Sequence, residues 1–270
     1  MMRLTKYMAA LVAFVALSGC EKELDFAYRD IEPLTVIEGC VTGAGARVSI
    51  TLTTPMNEPM NRTRLTDATV TLTDLTTSAM VELTADDAGY FACGDGGVAG
   101  HIYRLDVSRN GATYTATSTM QTATEISAME FQWMKMPYDD VAVLQVTFDD
   151  DMREQGECYW VRLYRNGEPY KWSIVTDLLA VDGRIDEVLM TSRRDVDEED
   201  DDTVLRDGDV VTASVSRISR AMYDYLEAIG NGTSNGPRMF DGGFCLGYFL
   251  ASPVSECSIV FRPDDLSVLE

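Results

Sequence analysis

Along the first half of the chain, apolar and polar residues alternate with a period of two. Val48, Ile50 and Leu52 alternate with Arg47, Ser49, Thr51 and Thr53, and Ala68, Val70 and Leu72 with Thr69, Thr71 and Thr73. Tyr103, Leu105 and Val107 repeat the rhythm. Successive strand side chains point to opposite faces, so this pattern gives one apolar and one polar face, as in half-buried antiparallel strands. Asn110-Gly111 separates Tyr103–Val107 from Thr113–Thr117 and suits the tight turn of a hairpin, while Asp87-Ala88-Gly89-Tyr90 precedes a Gly-rich turn. Short strands at regular spacing predict an immunoglobulin-like β-sandwich over residues 34–122.

The second half continues in strands. Val141–Phe148, Tyr159–Tyr164, Tyr170–Val175 and Val210–Val215 carry the strand signal. Asn166-Gly167 joins two of them as a hairpin, and Asp182-Gly183 and Asp207-Gly208 mark turns. The polar stretch Thr122–Ser127 reads as the junction between the sandwich and a larger, β-rich domain over 123–270. One helix is predicted near 219–229. Ser219 caps it, Met222, Leu226 and Ile229 follow at helical spacing, and Gly230 stands where a left-handed C-terminal glycine belongs. Gly242, Gly243 and Gly247 among apolar residues predict a strand that another backbone approaches closely. Cys245 and Cys257 flank what reads as a hairpin. The fold class is therefore mainly β with one short helix.

The N-terminus breaks this rhythm. Arg3 and Lys6 precede a continuous apolar run, Met8–Leu17, too short for the ~20 residues that span a bilayer. Leu17-Ser18-Gly19-Cys20 then has the form of a lipobox. Residues 1–19 are expected to be a lipoprotein signal peptide, and 20–33 a tether lipidated on Cys20. The acidic Glu21-Lys22-Glu23 loosely resembles a surface-export signal. The periplasmic leaflet is the alternative destination.

Charge narrows the partners. Twenty-two Lys and Arg against 44 Asp and Glu give a net charge of −22, and removal of Arg3 and Lys6 with residues 1–19 takes it to −24. Such a surface repels phosphate backbones, so nucleic acid is excluded as a partner. His101 is the only histidine and opens a strand, which argues against His-ligated zinc and Ser-His or Cys-His catalysis. Besides Cys20 there are five cysteines, an odd number for an exported protein. Cys40 with Cys93, or Cys245 with Cys257, are the candidate disulfides. No Cys-x-x-Cys occurs, so neither a zinc ribbon nor thioredoxin-type redox chemistry is expected, and no cofactor is.

Four groups have a sharper reading. Asp195–Asp202 holds seven acids in eight positions; a solvated loop outweighs a calcium site because the EF-hand glycine and terminal glutamate are missing. Asp202-Thr203-Val204 resembles a short O-glycosylation acceptor. Asp149-Asp150-Asp151, with Glu154 and Glu157, could pair carboxylates for glycoside hydrolysis, though a solvated turn is the simpler reading. Trp133, Trp160 and Trp172 lie in or beside strands, where core filling competes with contact to a sugar ligand.

Taken in order, several stretches resemble the Bacteroidota lipoproteins grouped as domain of unknown function family 4249. They are the lipobox followed by Leu34-Thr35-Val36-Ile37-Glu38-Gly39, and Asp67-Ala68-Thr69-Val70-Thr71-Leu72 before Gly89-Tyr90. Further along come Leu205-Arg206-Asp207-Gly208-Asp209 before Tyr223-Asp224-Tyr225-Leu226, and Thr233-Ser234-Asn235 leading to Gly247-Tyr248-Phe249. Gly236-Pro237-Arg238-Met239-Phe240, Cys245 and the acidic run near residue 200 depart from the pattern. The resemblance implies an outer-membrane lipoprotein encoded beside TonB-dependent transporters, and supplies no catalytic residues. The expected function is thus a non-enzymatic accessory or binding subunit of such a transporter. A cell-surface glycan-binding module or carboxylate-based hydrolase is the alternative.

Overall fold

Two Asn-Gly pairs set the local geometry from which the sheets grow. In the computed structural model, Asn110 (φ 49°) and Gly111 (φ 78°) join β6 (Ile102–Arg109) to β7 (Ala112–Thr119). Asn166 (φ 50°) and Gly167 (φ 89°) join β10 (Cys158–Arg165) to β11 (Glu168–Thr176). Left-handed backbone at both central residues matches the twist of the flanking strands, and Asn and Gly tolerate it best. The structure describes residues 32–55, 58–59, 63–137, 140–150, 156–193 and 204–269. Cys20, Asp195–Asp202 and Thr203 lie outside them.

The seven strands of the first half and two from residues 241–251 form a nine-stranded sheet. Its order is β14 (Asp241–Gly242), β7, β6, β3 (Thr69–Asp74), β4 (Ala79–Ala85), β5 (Phe91–Cys93), β2 (Gly45–Leu52), β1 (Thr35–Thr42) and β15 (Leu246–Ala251). Its inward residues, among them Ile37, Val48, Ile50, Val70, Leu105 and Val107, share one core. Each such side chain contributes about 1.5–3 kcal/mol by leaving water. The two ends of the sheet approach each other: Gln121 donates to the Ala251 carbonyl at 3.1 Å, and the Ala251 amide donates to Ser118 Oγ at 2.9 Å.

Two four-stranded sheets enclose a second core. One runs β11, β10, β13 (Val210–Ile218), β16 (Ser255–Val260); the other runs β12 (Arg184–Arg193), β9 (Asp140–Asp149), β8 (Ile126–Lys135), β17 (Ser267–Leu269). Phe148, Tyr159, Val161, Leu163, Ile185 and Phe261 fill the space between them. The single described α-helix, α1 (Arg220–Gly230), is capped by Ser219, whose hydroxyl accepts the Met222 amide. It buries Met222 and Leu226 against Cys158 and Trp160 of β10 and Leu250 of β15, so it packs where the two cores meet. Pro33–Glu270 is accordingly one compact unit.

Three details differ from the local reading of the sequence. Gly230 is the last helical residue, and the left-handed position falls on Gly232 (φ 62°). The segment 241–251, expected with the second half, pairs with β7 and, in parallel, with β1. β15 and β16 therefore do not form a hairpin between Cys245 and Cys257: the chain crosses from the first sheet to the second through Ser252-Pro253-Val254. The expected close approach does hold there. A Cβ on Gly242 would lie 2.2 Å from the Thr113 carbonyl oxygen, and one on Gly247 1.9 Å from that of Ile37.

Candidate functional site

The period-two pattern that fills the first core sends the intervening residues of β1, β2 and β15 outward. Register pairs Val36 with Thr51, Glu38 with Ser49 and Cys40 with Arg47, and places Tyr248 beside Glu38 on the other side. Across from this face stand Arg162 and Tyr164 of β10 and Pro169 of β11. The space between them is a cleft of about 1010 Å³, large enough for a small organic ligand. At one end the guanidinium carbons of Arg47 and Arg64 lie 3.4 and 3.8 Å from the centroid of the Tyr90 ring. Arg64 also donates to the Tyr90 hydroxyl, and Arg47 lies 3.9 Å from Asp86.

Electrostatics inside the cleft differ from those of the surrounding acidic surface. Burial raises the carboxyl pKa of Glu38, against the pull of the Ser49 hydroxyl and the charge of Arg64. Glu38 remains open to solvent, so the desolvation comes from the protein around it in a concave site. Burial also raises the thiol pKa of Cys40, with Arg162 and Arg47 opposing, and that of the Tyr248 phenol, with Glu38 adding to the rise. A thiol held protonated is a poor nucleophile. His101 is remote from the cleft: its Nδ1 lies 2.8 Å from Asp74 Oδ2 at the entrance to β6. The arginines and phenols of the lining offer charged and hydrogen-bonding groups to a polar ligand.

The candidates drawn from sequence fare differently. Trp133 is buried in the second core and donates to the Pro263 carbonyl at 3.0 Å. Trp160 is buried under α1, edge-on to Tyr248 with ring centroids 5.5 Å apart. Only Trp172, 40% exposed on β11, remains at the surface, so the three form no shared platform. All five described cysteines are free thiols. Cys40 and Cys93 sit on strands separated by β2, about 10 Å apart by strand spacing, beyond the reach of a disulfide. Cys245 is buried in the first core, while Cys257 pairs with Ala213 in a different sheet.

Among the acids, Asp149 lies 3.9 Å from Arg184, whereas Asp150 and Glu157 converge on the Tyr159 hydroxyl at 2.6 and 2.8 Å. Glu157 is also paired with Arg217 at 2.6 Å, both side chains buried. Both acids are thus engaged by neighbouring side chains. Asp151 and Glu154 lie outside the described residues. Among the described residues, no group of three or more His, Cys, Asp or Glu side chains is placed to hold a metal ion. No described helix is long and apolar enough to cross a membrane. The cleft arginines and tyrosines escaped the sequence reading because they belong to five separated segments. Their one local signal was the polar half of the alternation, as at Arg47 and Ser49.

A family model described as a domain of unknown function (DUF4249) matches residues 21–255. No curated protein matches the chain. Among solved structures, the FN1–FN3 domains of chicken CNTN1 are similar at 10% identity and a TM-score of 0.25, over 85% of this chain and 65% of that one. A two fibronectin type III domain segment from chicken tenascin is similar at 12% identity and a TM-score of 0.23, over 69% of this chain and 91% of that one.

Proposed function

The chain belongs to the family of domain of unknown function 4249, and from that premise we propose that it is a lipid-anchored binding subunit of a Bacteroidota outer membrane. It is held through Cys20 and works beside a TonB-dependent transporter without catalysing a reaction. The observation that carries this reading is the open cleft of about 1010 Å³, whose lining combines Arg47, Arg64 and Arg162 with tyrosines. Two sequence features support the setting. The basic n-region, apolar run and Leu17-Ser18-Gly19-Cys20 agree on lipid processing, and the tether enters the fold at Leu34, next to Val36 of the cleft wall.

The glycan-platform and hydrolase alternatives have less to rest on. Trp133 and Trp160 are core residues, and Asp150 and Glu157 are tied up with Tyr159 and Arg217. Co-purification tests the transporter role: the tagged full-length chain, extracted in mild detergent from outer membranes of its native cell, should bring down a β-barrel receptor. Recovery of the protein alone, from membranes that contain such receptors, would contradict the proposal.

A further inference from the structure

Arginines that the fold half-buries are generally paired with acids. Arg217 meets Glu157 at 2.6 Å, Arg165 meets Asp209 at 2.7 Å and Arg109 meets Asp67 at 2.8 Å. Arg162 is different. Among the described residues no carboxylate lies within ion-pair distance of it, and its Nη2 donates only to the neutral hydroxyls of Ser214 at 3.2 Å and Ser216 at 3.1 Å. Its Nε is buried with no acceptor, and its guanidinium carbon lies 4.5 Å from the centroid of the Trp160 ring. In a chain with twice as many acids as bases, that is a cation the fold leaves open to an incoming anion.

Glu38 is its counterpart. It opens into the same cleft, and among the described residues no cation reaches ion-pair distance. Tyr248 lies between the two: it is the register partner of Glu38, it packs edge-on against the Trp160 ring beneath Arg162, and both charges act on its phenol. Two unpaired charges of opposite sign thus flank one aromatic ring.

Resting on the reading of the cleft as a binding site, we propose that its ligand is a zwitterion of the amino-acid class, a free amino acid or a short peptide. Arg162 receives the carboxylate, Glu38 the ammonium group, and Tyr248 and Tyr164 the body between them. A simple acid would satisfy Arg162 but face repulsion from Glu38, and a simple amine the reverse. The net charge of −22 also disfavours the approach of an anion, whereas it leaves a neutral zwitterion unopposed.

The test uses the full-length chain in detergent micelles, immobilised and exposed to four probe mixtures. These are random tripeptides, the same peptides amidated at the C-terminus, the same acetylated at the N-terminus, and the free amino acids. Bound probes are quantified by mass spectrometry. Retention of free tripeptides or of free amino acids is expected, and which of the two dominates assigns the source. Amidation and acetylation should each lower peptide retention about tenfold or more, the loss of one charge-assisted contact. If free amino acids alone bind, the corresponding amides and acetylated forms should show the same loss. Arg162→Met should erase the penalty for amidation, and Glu38→Gln that for acetylation. Arg162→Lys, which keeps the charge, should preserve discrimination and thereby separate charge from packing on Trp160. Equal retention of capped and free probes, or retention of none, would overturn the proposal. Recovery of a receptor alongside either of these outcomes would remove the ligand class alone. Peptide discrimination without a receptor would leave the ligand class and remove the transporter role.

Discussion

Tyr159 carries one hydroxyl proton and faces two carboxylates, Asp150 at 2.6 Å and Glu157 at 2.8 Å. The phenol is the donor toward both, and Glu157 also pairs with Arg217 at 2.6 Å. Burial raises the pKa of Glu157 most, with Asp150 adding to the rise, and Tyr159 and Arg217 opposing it. The sign for stability follows. A folded-state carboxyl pKa above the unfolded value of about 4.3 means that the native state keeps a proton the unfolded chain has released. Stability from this group should fall as pH rises from about 4.3 through the raised value, and Glu157→Gln should flatten that slope in urea titrations over this range. Glu157→Ala should cost about 3–5 kcal/mol, because it leaves Arg217 buried without its anion. Asp74 runs the other way. Burial works against its charge, but hydrogen bonds from His101, Thr77 and nearby amides win and hold its pKa at about 2. Its contribution is present above the unfolded value of about 3.9 and lost as pH falls through 2. The sequence displayed Asp150 and Glu157 as members of an acidic stretch. It could not show Arg217, which reaches them from a strand far along the chain.

At the scale of elements, what was legible is what local chemistry decides. Asn110-Gly111 and Asn166-Gly167 are hairpin turns because left-handed backbone is cheap at those residues, and α1 begins at Ser219 because its hydroxyl satisfies an otherwise free amide. Ser219→Ala should therefore lower stability by about 1 kcal/mol, read as a shift in the denaturation midpoint with unchanged slope. The path of β15 was not legible, since its partner β1 lies at the opposite end of the sequence and the pairing depends on register. Gly247 is where that pairing is most exposed to change. Its φ of 106° disfavours any side chain, and an added Cβ would meet the Ile37 carbonyl oxygen at 1.9 Å. Gly247→Ala should open the β1–β15 ladder, seen as loss of hydrogen-exchange protection at residues 36–41 before the second core is affected. Uniform loss across both cores would show instead that the two unfold together.

At the scale of the whole molecule, the cleft emerges only when β1, β2 and β15 of one sheet face β10 and β11 of another. Alternation in β1 and β2 marked one polar wall, but nothing local connects it to Arg162 or Tyr248. The proposed anchor, by contrast, rests on a short N-terminal stretch. Cys20→Ala removes the thiol that would receive diacylglycerol, so the variant should remain uncleaved on its own signal segment. A chain starting at Glu21 should fractionate as a soluble protein, because its net charge of −24 opposes adsorption to anionic lipid. The claim that joins anchor and cleft is that this is a lipid-held binding protein, and native mass spectrometry of the full-length chain extracted from its own outer membranes tests it most directly. The expected spectrum shows acyl chains on Cys20 and a small non-covalent ligand that disappears in the Glu38→Gln, Arg162→Met double variant. A chain of unacylated mass, with the same ligand-free spectrum for both proteins, would contradict it.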